Sequence, residues 1–369
     1  MRAFPLVLIV CGLAVVSAPA QKKSRKEKKE ELTQTLQLPK ELPAWISGDT
    51  RHLSFYVTPL SAKGLLSAQI REALRALSHE TGSDTVLKIR AFVAGSGDLR
   101  RVRDLVSEIF TDRHQPLPVL SLVRAGGLPL EGAQVVLEVT ASSRKEVNPH
   151  GLVFLSAQPA TSANPLEPAG PLATQSLARL RKALEEAGSE PEDVIRVSCF
   201  LSSLEGLAAI RQAVATEYPR AAQNYVQTQR APGQAIAACE SVARARTDAP
   251  RLAVRPGAAT GEAGLSQAAL TGAPHLVLTG TQVSFGFEEK DARLAFERLV
   301  KGLEQAGVSA RDVVFVHYYP LSLGIAAQVR KVRTEFFDPA HPPAGSMLIF
   351  EGLPSMDAGF AIDVVAAKD

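Results

Sequence analysis

The sequence predicts an α/β (α+β) fold made of three tandem copies of one small unit, each a mixed sheet with two helices on one face. Three observations carry this reading. The windows Val86 to Phe110, Val194 to Tyr218 and Val313 to Phe337 align without a gap. Each runs from a β-branched or aromatic strand through a small-residue turn into an amphipathic helix. A second helix lies upstream of every window, and two strand-like runs follow it, ending near Glu138, Glu240 and Asp363.

In chain order, each copy opens with an apolar strand: Leu53 to Val57, Leu152 to Ser156 and Leu276 to Thr279. The first helix follows, with its apolar spacing clearest over Ala68 to Leu77, Ser176 to Leu184 and Ala295 to Leu303. Gly188 and Gly307 suit the C-terminal ends of the second and third of these, where a left-handed residue satisfies the last carbonyls. On the second helix, Val102, Ile210 and Val329 are equivalent core positions, and so are Phe110, Tyr218 and Phe337. A sheet with helices on one face leaves its other face needing a partner. Three such units in one chain can cover one another's open faces.

The ends of the chain are read from composition. Arg2 is the only charge before an apolar stretch from Phe4 to Val16, and Ser17-Ala18-Pro19-Ala20 supplies a small-residue cleavage site. Residues 1–20 are therefore read as a signal peptide, which makes the mature chain periplasmic or secreted. The stretch is short against the roughly 20 apolar residues of a bilayer span, and no stable membrane insertion is expected after cleavage. Residues 21–48 read as a charged linker, because Lys22 to Glu31 holds six basic and three acidic groups. The repeats are assigned to 49–142, 147–246 and 252–369, with Thr247 to Ala273 read as linker plus an extra hairpin strand. The net charge of +3 sits in the basic tail, and only 5% of residues are aromatic. The folded part thus has neither the charge nor the stacking surface for nucleic acid. Cys199 and Cys239 both fall in apolar strand-like runs, where they form either a disulfide or two buried thiols. No Cys/His set has zinc spacing, and no phosphate loop or nucleophile elbow occurs, so neither a metal nor a cofactor is expected.

One run in each copy carries a family resemblance. Copy 1 reads Pro118-Val-Leu-Ser-Leu-Val-Arg-Ala-Gly-Gly-Leu-Pro129 and copy 2 reads Ala221-Ala-Gln-Asn-Tyr-Val-Gln-Thr-Gln-Arg-Ala-Pro232. Copy 3 reads Pro343-Ala-Gly-Ser-Met-Leu-Ile-Phe-Glu-Gly-Leu-Pro354. With the element order, these runs resemble the Pro-Ala-Arg-Ser motif of the Rid (reactive intermediate deaminase, YjgF-like) family. The family's Thr-Ser-Gly-Gln resembles Leu155-Ser156-Ala157-Gln158 and Thr279-Gly280-Thr281-Gln282. The resemblance covers nearly all of residues 50–368. It implies three chorismate-mutase-like units forming an intramolecular pseudo-trimer from a monomeric chain, with a ligand cleft at each interface.

It also implies a chemistry test. Rid enzymes hydrolyse enamines and imines, clamping the substrate carboxylate with the motif arginine, whose planar fork grips both oxygens. Leu120, Gln223 and Gly345 stand at that position here, and Val136, Ala238 and Ala361 stand where the family has a water-positioning glutamate. Losing a proton-transfer group typically costs about 10²–10⁴-fold in rate. No catalytic residue is therefore assigned. Cleft candidates are Ser156, Gln158, Gln223, Tyr225 and Gln227, expected to cluster in copy 2, together with Leu120, Arg124, Gly280, Gln282 and Gly345. Arg124 alternates with Leu120 along its strand, so it is read either as a substitute for the missing clamp or as a solvated strand-end arginine. His317 is read as a packing residue, and Glu138, Glu240 and Asp363 as polar strand ends. Three functions follow: binding of a small metabolite at the clefts, an imine deaminase with relocated groups, or a structural module with vestigial clefts.

Overall fold

Alternation of strand-like runs with amphipathic stretches builds the same element order three times. The computed structural model describes residues 39–95, 97–256 and 264–369; the stretch read as a signal peptide and most of the stretch read as a charged linker lie outside the described residues. Unit 1 comprises β2 (Leu53–Val57), α1 (Leu66–Thr81), β3 (Thr85–Ala94), α2 (Leu99–Asp112), β4 (Val119–Ala125) and β5 (Val135–Ser142). Unit 2 repeats this as β6 (Leu152–Ser162), α3 (Ala169–Glu186), β7 (Val194–Leu201), α4 (Leu207–Glu217), β8 (Ala222–Gln227) and β9 (Ala235–Arg244). In unit 3 the opening strand is split at Gly280 into β12 (His275–Thr279) and β13 (Gln282–Phe285). It continues with α5 (Glu289–Gln305), β14 (Val313–Pro320), α6 (Leu323–Phe336), β15 (Ala344–Met347) and β16 (Ala358–Lys368).

Each sheet has the same order. The last strand lies between the first and the second, antiparallel to both, and the third pairs parallel with the second. Unit 3 follows suit. Even an irregularity recurs: register shifts at Val86/Lys88, Val194/Arg196 and Val313/Phe315, three equivalent positions. Val102, Ile210 and Val329 are buried on the helix faces, as are Phe110, Tyr218 and Phe337. Gly188 and Gly307 have φ of 79° and 78°, the left-handed turn expected where α3 and α5 stop.

Period-two alternation divides each middle strand between two environments. On β3, Ile89, Ala91 and Val93 pack under the helices of unit 1, while Phe92 and Ala94 join a cluster with Phe200, Tyr319 and Phe350. This second cluster draws on all three units. The open sheet faces are thus buried against one another around a common centre.

The edges reveal a feature that the sequence reading missed. Trp45–Asp49, all but its last residue in the stretch read as linker, is a strand, β1, and it pairs antiparallel with β12 of unit 3 instead of with β2 of its own unit. Likewise β11 (Ala268–Thr271), which precedes unit 3, pairs with β6 of unit 2, and the short β10 (Ala253–Arg255) pairs with β11. The segment before unit 2 reaches unit 1: the N–H groups of Ser143 and Val147 donate to the carbonyls of His52 and Arg51 at 2.7 and 2.9 Å. The amide of Asn148 donates to Leu53 O at 2.6 Å. Every lead-in segment is therefore handed to another unit, and the three exchanges close a ring.

Candidate functional site

The common centre holds a polar layer that alternation builds from equivalent positions. Arg90, Ser198 and His317 project inward from β3, β7 and β14, and Glu138, Glu240 and Asp363 from the last strands that pair with them. Arg90 donates through Nε to Glu138 at 2.6 Å and through its fork to Glu240 at 2.9 Å. Lys88 Nζ lies 2.6 Å from Asp363, and Arg196 lies 3.2 Å from Glu240. The two ring nitrogens of His317 lie 3.0 Å from Asp363 and 3.2 Å from Glu240. A further residue from each third strand crosses to a neighbour's acid: Ser121 to Asp363 at 2.5 Å, Asn224 to Glu138 at 2.8 Å, and Ser346 to Glu240.

This corrects two sequence-based readings. Glu138, Glu240 and Asp363 are not strand-end residues but nearly fully buried acids, and His317 does more than pack, since it bridges two of them. Burial alone would raise the Glu240 carboxyl, but Arg90, His317 and Arg196 outweigh it and hold the group well below the usual carboxylate range. Asp363 is likewise held well below by Lys88 and His317 against its burial, and Glu138 is lowered by Arg90 and Arg196. Carboxylates with depressed native pKa values contribute stability that is complete above their unfolded values near 4 and is lost as pH falls toward the native ones. The urea midpoint is therefore expected to hold from pH 7 to about 5 and to drop steeply below about pH 4. A midpoint unchanged at pH 3 would contradict the layer's charge state.

The cavity beside the polar layer measures only about 20 Å³, room for about one water. Among the described residues, no group of His, Cys, Asp and Glu is arranged to hold a metal ion.

The predicted cleft residues do not gather in one place. Within unit 2, β9 and β7 separate β6 from β8, so Ser156 and Gln158 cannot meet Gln223, Tyr225 and Gln227. Ser156 Oγ instead accepts the Gly345 N–H at 2.7 Å and donates to Ser266 O at 2.5 Å, a buried bracket between units 2 and 3. Gln158 is buried behind it, bonded to Ser156 O. The Tyr225 hydroxyl donates to Gln223 at 2.8 Å, and burial pushes that phenol well up. Gln227 donates to Ser202 O through its side chain and joins Gly126 and Gly127 of unit 1 through its backbone.

At the interface of units 1 and 3, Leu120 is buried under the helices of unit 1. Its carbonyl would lie 3.0 Å from a Cβ on Gly280, so backbone meets backbone there. Gln282 sits on β13, opposite Ile362. Arg124 donates to Gly95 O and Gly97 O at 3.2 and 3.1 Å, which ties down the turn before α2. The relocated clamp it was read as offering is therefore engaged with backbone carbonyls.

Two candidates border cavities: Arg124 lines one of about 520 Å³ with Gln229, Arg230 and Glu351, and Gly345, itself buried, lies at the wall of a second. The second cavity measures about 360 Å³ and lies between units 2 and 3, within the range of small-molecule sites. A Cβ at Gly345 would come within 2.4 Å of Val316 O on the paired strand, so strand pairing itself requires glycine here. Ala157, Ile236, Leu265, Met347 and Leu348 form the apolar interior. Arg179 of α3 and Arg330 of α6, both exposed, also line it. No carboxylate, imidazole, amine or thiol is in the lining. The arginines come from helices, away from the motif run, so comparing the motif positions could not have found them.

Cys199 and Cys239, directly opposite on β7 and β9, form a disulfide with Cα atoms 4.1 Å apart. The alternative left open by the sequence is thereby decided.

No family model matches the chain, and no curated protein matches it. Solved structures do. One is a member of the YjgF/YER057c/UK114 family from Mycobacterium tuberculosis, 23% identical, covering 32% of this chain and 99% of its own, with a TM-score of 0.24. Another, of the Rid protein family from Yersinia pestis, is 19% identical and covers 32% of this chain and all of its own, with a TM-score of 0.30. A YjgF family protein from Neisseria meningitidis is 15% identical over 32% of this chain and 95% of its own, with a TM-score of 0.24. The solved structures to which this chain is similar thus include members of the YjgF, or Rid, family, each matching about a third of its length.

Proposed function

We propose that the chain is an exported, monomeric pseudo-trimer that binds a small metabolite in the cleft between its second and third units, without the imine deaminase chemistry its motifs resemble. The observation that carries this reading is the cavity at Gly345: the space is present while its lining holds no group able to move a proton. Leu120 and Gln223, the other two positions of the resemblance, are taken up by internal contacts. Export is supported by the Cys199–Cys239 disulfide, a bond that persists in oxidising compartments.

Two measurements test the proposal. With an imine generated in situ by an amino-acid oxidase, the purified chain should leave hydrolysis at the buffer rate; acceleration would restore the deaminase. In a thermal-shift screen of carboxylates and neutral metabolites, a cleft ligand at a hundredfold excess over its Kd should add about 2.7 kcal/mol of stability. A screen in which nothing moves the melting temperature would leave the clefts as structure alone.

A further inference from the structure

The turns after the third strands of the units meet one another, and two of the three joints they could form are closed. By the alignment of the motif runs, Arg124, Gln227 and Ile349 are equivalent, and so are Gly126, Gln229 and Glu351. The Arg124 N–H donates to Gly352 O at 2.8 Å and its carbonyl accepts from the Glu351 N–H at 3.1 Å, joining units 1 and 3. The Gln227 N–H donates to Gly127 O at 3.0 Å and its carbonyl accepts from the Gly126 N–H at 2.8 Å, joining units 2 and 1. The same joint between units 3 and 2 would tie Ile349 to Gln229 and Arg230, and among the described residues it makes no main-chain hydrogen bond. Glu351 intervenes there: its side chain accepts the Arg230 N–H at 2.7 Å and lies 3.3 Å from Arg230 Nε.

The open joint ends an unpaired strand edge. The Phe350 N–H turns to Pro320 O at the end of β14, whereas the Gly345 and Glu351 N–H groups turn away, to Ser156 Oγ and Arg124 O. Alternation then points the N–H and C=O of Met347 and Ile349 away from β14 as well, toward the cleft that both residues line. Both are half-buried, and among the described residues neither makes a hydrogen bond on that side. Such an edge is a template for another chain. Across the cleft, unit 2 presents Thr161, Thr228, Gln229 and Gln234, uncharged groups that can both donate and accept. Gln229 also lines the cavity that holds Arg124, so the cleft and this mouth adjoin. At the mouth Arg230 and Glu351 balance each other, while Arg124 bonds only carbonyls and has no carboxylate partner among the described residues.

Resting on the cleft reading above, we infer that the ligand class is a short extended peptide with a free C-terminal carboxylate. It adds as a strand beside Met347 and Ile349, and its carboxylate reaches Arg124 at the mouth. Pairing with the strand edge leaves none of its own amides buried without a partner, which is the condition for entering a largely apolar cleft. Main-chain bonds supply the affinity, and the charge-assisted bond fixes the direction of the peptide. Because the other two joints are closed, binding is one per chain despite three repeats.

The experiment is isothermal titration of the intact chain with three probes: acetyl-Ala-Val-Ala-Leu as the free acid, its C-terminal amide, and the acid with its internal amides N-methylated. The acid should bind with a stoichiometry of one, the amide about tenfold or more weaker, and the methylated acid not measurably. Arg124→Met should bring the acid to the affinity of the amide and leave the amide unchanged. Hydrogen exchange at the Met347 and Ile349 amides should slow when the acid is bound, a readout on the unaltered chain. Equal binding of the three probes, three sites per chain, or unchanged exchange at both amides would each overturn the inference. A metabolite that shifts the melting temperature while no peptide binds would overturn it and leave a ligand-binding cleft in place. Failure of all three probes, together with a blank thermal-shift screen, would remove both.

Discussion

Replacing Arg90 with leucine is expected to destabilise the chain by about 3–5 kcal/mol, the cost of leaving buried charge without its partner. The guanidinium serves two acids from two units, Glu138 and Glu240, and it lies 5.1 and 5.7 Å from the ring centroids of Phe92 and Phe200. With it gone, two carboxylates share a centre with room for only about one water. Urea unfolding gives the number directly. The double variant Arg90→Leu/Glu138→Gln should cost less than the sum of its parts by about 1–3 kcal/mol, because neighbours in one network do not add. A loss below about 1 kcal/mol for Arg90→Leu would mean that the centre is wetter and the layer less coupled than its burial implies.

Removing the disulfide is the second large effect. Cys199 and Cys239 are fully buried in the core of unit 2 and 40 residues apart. The chain-entropy relation for a loop of that size gives about 4 kcal/mol, with measured losses usually about 2–4. Cys199→Ala/Cys239→Ala is the suitable variant, since alanine introduces no polar group into an apolar site. Dithiothreitol should reduce the wild type only once urea has opened unit 2; rapid reduction of the native chain would show that unit 2 breathes locally.

Much of the fold was legible because repetition averages away local ambiguity. One window such as Val86 to Phe110 reads as strand and helix, and three in phase fix the order of a whole unit. Core positions such as Val102, Ile210 and Val329 followed from spacing alone. Partner choice was not legible. Nothing in Trp45–Asp49 says that it joins β12 rather than β2, because an edge strand offers the same backbone groups to any neighbour. The central layer was half visible: an acid recurred in every copy, but its role depends on Arg90, Ser198 and His317, which share no chemistry and so hid their equivalence. The five polar residues of unit 2 failed to cluster because sheet order, invisible in one strand's sequence, puts β9 and β7 between their strands. The arginines of the cleft were missed because they lie on helix faces that a strand motif does not address.

The handing of β1 to unit 3 bears on how the molecule comes into being. Trp45 is among the first of these residues to leave the ribosome, and Thr279, its partner, follows only after units 1 and 2 have been synthesised. Until then unit 1 holds Lys88 without Asp363 and Arg90 without Glu240, so a nascent unit would have to bury cations whose counter-charges do not yet exist. Long-range closures of this kind are slow and come late. Final locking is therefore deferred until the last unit has been delivered.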